Sequence, residues 1–151
     1  MGKPIASMDL NTRPPRSPRV RLGGYSILPR LLDKGRAVLA GTNGEYNFNC
    51  PLDQQFMDFT GVDAAGLKKQ LAAGKSDGEI LAWIGKNAKK KRSGLEIANW
   101  AAYQEQRAPG QVELREWFNG VHAKLAPKRT DIFTWFDLLD LDDHVSFGGK
   151  A

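Results

Sequence analysis

A single cysteine, Cys50, stands among 151 residues, so the chain can form no internal disulfide and no multi-cysteine metal site. Only two histidines are present, His122 and His144, and neither belongs to a ligating or catalytic motif. No apolar run approaches the roughly 18 residues that a membrane-spanning helix needs, so no membrane partner is expected. The opening residues carry Arg and Pro without the apolar stretch and cleavage signal of a secretory peptide, and a cytoplasmic location is the simplest expectation. Gly23-Gly24 is followed by no Lys and Ser or Thr, which excludes a phosphate-loop signature. What remains is ordinary for a globular chain: 41% hydrophobic and 26% charged residues, enough for one core.

Acidic residues are scarce at one end and basic ones at the other. Residues 1–36 hold eight Lys and Arg against Asp9 and Asp33, whereas residues 130–151 hold five Asp against Lys150. This polarity fits an anionic partner at the first segment, or one end of the fold pairing with the other.

Pro14, Pro15 and Pro18 keep residues 1–24 extended, which predicts a basic N-terminal arm packed on a single helical domain of residues 25–151. Ser26 can cap a first helix running to about Leu39, with Gly35 weakening it. A small β-hairpin of residues 37–40 and 45–48 around Asn43-Gly44 is the alternative for part of that segment. Pro51 suits the first turn of a helix through Phe59, and Asp63 caps a short one through Leu71. Ser76 with Glu79 and Ser93 with Glu96 form capping boxes that start helices near 77–88 and 94–106. A helix at about 112–125 follows Pro109-Gly110. Thr130 is expected to cap a last helix to about Leu141, with an irregular tail from Asp142.

The sum is a mainly α, compact orthogonal bundle of six to seven short helices. Trp83, Trp100, Trp117 and Trp135 recur at spacings of 17, 17 and 18 residues, each closing a phrase of acid, aliphatic, two free positions and indole. Such phrases suit first turns of amphipathic helices, with the Trp residues as core anchors. The spacing also resembles half of a helix-pair repeat, but the segments do not match beyond these phrases.

The chemistry concentrates between Tyr25 and Asp53. Arg30, Asp33 and Lys34 share a helix face, and Tyr46, Asn49, Cys50 and Asp53 follow after the turn. Cys50 just before Pro51 lies where a helix dipole favours a thiolate, although a lone cysteine also serves as a small buried hydrophobe. Arg13, Arg16, Arg19 and Arg21 could clamp a phosphate or carboxylate, or strap the arm to acidic residues. Lys86, Lys89, Lys90, Lys91 and Arg92 form a basic helix junction, readable as a solvated cap or as weak nucleic-acid contact. Asp137, Asp140, Asp142 and Asp143 fit no calcium loop and are expected to meet an Arg from residues 13–21.

Several phrases resemble the small bacterial proteins of domain-of-unknown-function family 5069. They are Arg13-Pro14-Pro15-Arg16-Ser17-Pro18, Leu28-Pro29-Arg30 with Asp33-Lys34, and Gly44-Glu45-Tyr46. Asn49-Cys50-Pro51-Leu52-Asp53 and Thr134-Trp135-Phe136-Asp137-Leu138-Leu139-Asp140 complete the set. The resemblance covers nearly all of residues 9–149 and implies one mostly helical domain, without an activity.

The functional expectation is a pocket for a small anionic molecule where the arm, the first helix and residues 46–53 meet. Arg16, Arg30 and Lys34 would recognise charge, and Tyr25, Tyr46 and Asn49 would orient the ligand. Asp33, Cys50 or Asp53 would carry any proton transfer or attack. No metal site is expected and no cofactor is indicated. Nucleic-acid binding through the arm and residues 86–92, or a protein–protein adaptor built on exposed aromatics, are the alternatives.

Overall fold

The computed structural model describes residues 8–151, and within them seven helices and no sheet are found. They are α1 (Leu28–Ala40), α2 (Pro51–Thr60), α3 (Ala64–Ala72), α4 (Asp77–Asn87), α5 (Gly94–Gln106), α6 (Val112–Leu125) and α7 (Trp135–Ser146). An isolated bridge between Leu22 and Tyr25 is the only β-type pairing among the described residues. None of the helices is long and apolar enough to cross a membrane.

Local chemistry sets most of the helix starts. Asp63 accepts from the Gly66 amide at α3, and Ser76–Glu79 and Ser93–Glu96 close reciprocal boxes at α4 and α5. Gly41 ends α1 with φ 72°, a left-handed geometry that costs glycine little. Gly35, expected to weaken α1, has a packing role instead. A Cβ there would lie 2.5 Å from Leu71 Cδ1, so its absence lets α1 approach α3.

Four expectations are overturned. Ser26 does not cap α1: Ile27 occupies the cap position at φ 71°, and Ser26 Oγ is buried with no hydrogen-bond partner among the described residues. Ile27 is fully buried and donates its N–H to Pro18 O at 2.9 Å, so burial and the arm together hold this strained backbone. The hairpin of residues 37–40 and 45–48 does not form, because α1 runs through Ala40 and residues 43–46 close as a turn (Tyr46 N to Asn43 O, 2.9 Å). The last helix is capped by Thr134, not Thr130, in a box with Asp137, and it continues through Asp142 to Ser146. Lastly, the indoles flank the cores rather than anchor them. Trp83, Trp100 and Trp135 are half-buried and Trp117 is 59% exposed.

Two apolar clusters form. The larger joins α1 to α4 through Leu28, Leu31, Leu32, Phe56, Leu67 and Ile80; the smaller joins α6 and α7 through Phe118, Ile132, Leu138 and Leu141. Helix α7 packs on both α5 and α6, so it is the element that brings the second cluster to the first.

The arm ties these parts together by charge. Arg16 forks onto Asp33 of α1 and reaches Asp77 of α4 at 2.8 Å. Arg19 pairs with Asp137 and Asp140 of α7, and Arg21 with Glu105 of α5. The basic start thus meets the acidic end at Arg19, and at Arg30 with Asp143, while Arg16 and Arg21 pair with acids elsewhere in the chain. Burial alone would raise the Asp77 carboxyl, but hydrogen bonds from Arg16 and Arg36 outweigh it and hold the group below its ordinary 3.8. Burial opposes Asp137 in the same way, outweighed by the Thr134 and Phe133 amides, the Thr134 hydroxyl and Arg19.

A carboxyl whose folded-state pKa is depressed stabilises the fold above its unfolded value and loses that contribution as pH falls through the folded one. The urea midpoint should therefore be flat above about pH 5 and drop below about pH 4, with Asp77→Asn flattening the acid limb while lowering the neutral midpoint. Thr134→Ala should cost about 1 kcal/mol in chemical denaturation and Thr130→Ala almost nothing; equal losses would mean that α7 is capped elsewhere.

Candidate functional site

Helix α1 carries its charged face into the interior. Arg30, Asp33 and Lys34 are each nearly fully buried, which is tolerable only if every charge is matched. Arg30 forks onto Asp143 of α7 (Nη1–Oδ2 2.7 Å, Nη2–Oδ1 3.3 Å), and its Nη1 also donates to Arg16 O. The Tyr46 hydroxyl donates to Asp143 Oδ1 at 2.7 Å, and the Arg30 guanidinium lies 5.4 Å from the Tyr46 ring centroid. Burial, the bond to Asp143 and that carboxylate's charge together push the Tyr46 hydroxyl above its ordinary value, so it remains a donor.

One turn along α1, Lys34 Nζ lies 2.9 Å from Asp53 Oδ2 and donates to Cys50 Sγ at 3.2 Å. Asp53 Oδ2 also accepts from the Cys50 amide at the start of α2, while Oδ1 is buried with no hydrogen-bond partner among the described residues. An ammonium has three N–H donors. One is spent on Cys50 Sγ and Asp53 meets the ammonium as an ion pair, so N–H donor capacity remains among the described residues.

Arg30, Lys34, Tyr46 and Cys50 line one cleft of about 680 Å³, closed on the far side by Leu139, Asp143 and Phe147. Arg30, Lys34, Leu10 and Asp143 are its buried members, whereas Glu45 and Asp142 are exposed. Asp143 is taken up by Arg30, so the positive charge of the cleft lies in its interior and the free negative charge on its exposed lining.

Of the residues expected at the site, these four are brought together. Asp53 stands behind them, accepting a hydrogen bond from the Cys50 amide and ion-paired with Lys34. Asn49 takes a left-handed backbone (φ 62°) just before Cys50 and is exposed, turning the chain into α2 without lining the cleft. Three candidates lie elsewhere. Arg16 and Asp33 are spent on each other and on the arm, and Tyr25 packs edge-on against Phe56 in the larger core, 5.3 Å between centroids. Sequence reading missed Ser146 and Phe147, because α7 was expected to end at Leu141. It gave Asp143 an Arg of residues 13–21, which holds for Asp137 and Asp140 with Arg19, whereas Asp143 pairs with Arg30. The signal was present in Asp143, a carboxylate near a helix C-terminus, which needs a partner.

Asp137 and Asp140 pair with Arg19 and Asp143 with Arg30, while Asp142 accepts from the Ser146 hydroxyl; no group of three or more His, Cys, Asp or Glu among the described residues could hold a metal ion. In the basic junction, Lys90 donates to Asp58 O and Lys91 to Gly85 O, so two of these cations satisfy carbonyls at helix ends.

Residues 12–145 match a family model described as "Domain of unknown function (DUF5069)". No curated protein matches the chain.

Because the Lys34–Asp53 pair is buried, Lys34→Met or Asp53→Leu alone should cost about 3–5 kcal/mol, and the double variant markedly less than their sum. Cys50→Ser, which keeps a good N-cap residue, should stay within about 1 kcal/mol of wild type. Denaturation midpoints check both; an additive double variant would mean that the pair is not coupled.

Proposed function

The chain belongs to the DUF5069 family, and for it we propose that the Arg30–Lys34–Tyr46–Cys50 cleft binds a small molecule through an anionic group placed beside Lys34 and Cys50. The observation that carries this reading is the Lys34 ammonium: buried, ion-paired with Asp53, hydrogen-bonded to a thiol, and with N–H donor capacity left over at a cleft wall. Glu45 and Asp142 on the exposed lining favour a ligand whose other end donates hydrogen bonds or carries positive charge. If a covalent step occurs there, Cys50 is the attacking group and Asp53, through Lys34, its positioning partner; Asp33 and Arg16 take no part.

The nucleic-acid alternative is weakened on the arm side, since Arg16, Arg19 and Arg21 already hold carboxylates. Binding there would have to break ion pairs that join the arm to α1, α4, α5 and α7.

Cys50 is the chain's one thiol and therefore a built-in reporter. Its alkylation rate by iodoacetate relative to iodoacetamide should exceed the ratio for an unstructured cysteine peptide by roughly fivefold, about what one unit charge at 4 Å supplies in water. A ratio equal to or below that of the peptide would show that the exposed acids dominate and that the cleft does not recruit anions. Phosphates and carboxylates that raise the melting temperature should also protect Cys50 from iodoacetamide.

A further inference from the structure

Seven of the ten arginines, Arg16, Arg19, Arg21, Arg30, Arg36, Arg92 and Arg129, each form an ion pair. Of the other three, Arg13 is exposed and Arg115 lies over the Phe118 ring. Arg107, at the end of α5, has neither a carboxylate nor a ring partner among the described residues. Its Nε donates to Gln104 Oε1 at 3.1 Å, and neither Nη group has a hydrogen-bond partner among the described residues. The side chain is nonetheless half-buried, and burial lowers its pKa because no carboxylate offsets the desolvation.

The surroundings make that unmatched charge informative. Arg107 lines a groove of about 490 Å³ between α2, α6 and α7, whose walls are mainly Leu114, Trp117, Val121, Trp135 and Leu138. The volume is that of a small-molecule site, and the polar groups on it are few. Trp117, at 59% exposure, gains by being covered, and its ring lies 6.2 Å from that of Trp135. An apolar wall with one desolvated, uncompensated guanidinium is complementary to an apolar body bearing one negative charge.

We propose that this groove binds an apolar organic carboxylate, its ring or chain against Trp117, Trp135 and Leu138 and its carboxylate forked onto Arg107. The site meets the polar cleft at Cys50, Leu52, Leu139 and Asp142 but does not depend on the cleft's own ligand. A neutral apolar molecule would leave the guanidinium unmatched, and a hydrophilic anion would leave the indoles exposed.

Naphthoate and its neutral isostere naphthamide separate the two contributions in calorimetric titrations of the full chain. Naphthoate should bind at least tenfold more tightly than naphthamide, the order expected for hydrogen bonds to a charged group. Arg107→Gln should abolish that preference, Arg107→Lys should keep part of it, and Trp117→Ala should weaken both ligands. If Arg107→Gln does not fold, the comparison of the two ligands on the wild-type chain still decides. Equal affinities, or naphthoate binding that ignores Trp117→Ala, would overturn the proposal. So would light scattering that shows a dimer whose formation excludes naphthoate, because the groove would then be a contact between copies.

Discussion

The fork between Arg30 and Asp143 is the interaction on which the rest of the arrangement depends. It joins the most buried helix, α1, to the last one, α7, across the whole length of the chain. Taking both charges out of water is costly, and the cost is offset only when the pairing is bidentate and the remaining donors and acceptors are met. Tyr46 and the Arg16 carbonyl meet them here. The same fork sets a wall of the polar cleft, because Tyr46 is drawn toward α7 and the 43–49 segment with it. The proposed binding cleft and the stability of the fold thus draw on one cluster of side chains.

Charge complementarity between the two ends of the chain extends this logic. The described part of the arm, residues 8–24, has no helix to hold it, so its position comes from Pro15 and Pro18 buried against the body and from guanidinium pairs on four different helices. Buried or partly buried cations matched this thoroughly leave little for a ligand. A cation that remains unmatched, such as Arg107, or only partly spent, such as Lys34, is correspondingly informative.

The helix boundaries were largely legible because they are written in contiguous residues. Ser76–Glu79, Ser93–Glu96, Asp63 and Pro51 each announce a start within one turn. Thr130 misled because it too can cap, and what excludes it is the non-helical path of residues 127–134, with Arg129 bound to Asp131 and Ile132 buried in the smaller core. Four expected site residues, Arg30, Lys34, Tyr46 and Cys50, converge because two lie one turn apart on α1 and two flank the short segment that follows it. Tyr25 and Arg16 stand close to them in sequence, but the strained turn at Ile27 sends Tyr25 into the core and Asp33 captures Arg16. Nothing local distinguishes a tyrosine that packs from one that lines a cleft.

The sequence by itself determined the class of fold, the helix starts other than those of α1 and α7, and the charge polarity between its two ends. These are consequences of spacing, capping and net charge, which act over a few residues or through the sign of whole segments. Tertiary structure alone decided which cation meets which carboxylate, that α7 carries Asp143 to Arg30, and that Arg107 is left without a carboxylate among the described residues, beside apolar walls. The reason is physical: pairing depends on distances of about 3 Å between groups as far apart in sequence as Arg30 and Asp143, and only packing sets such distances.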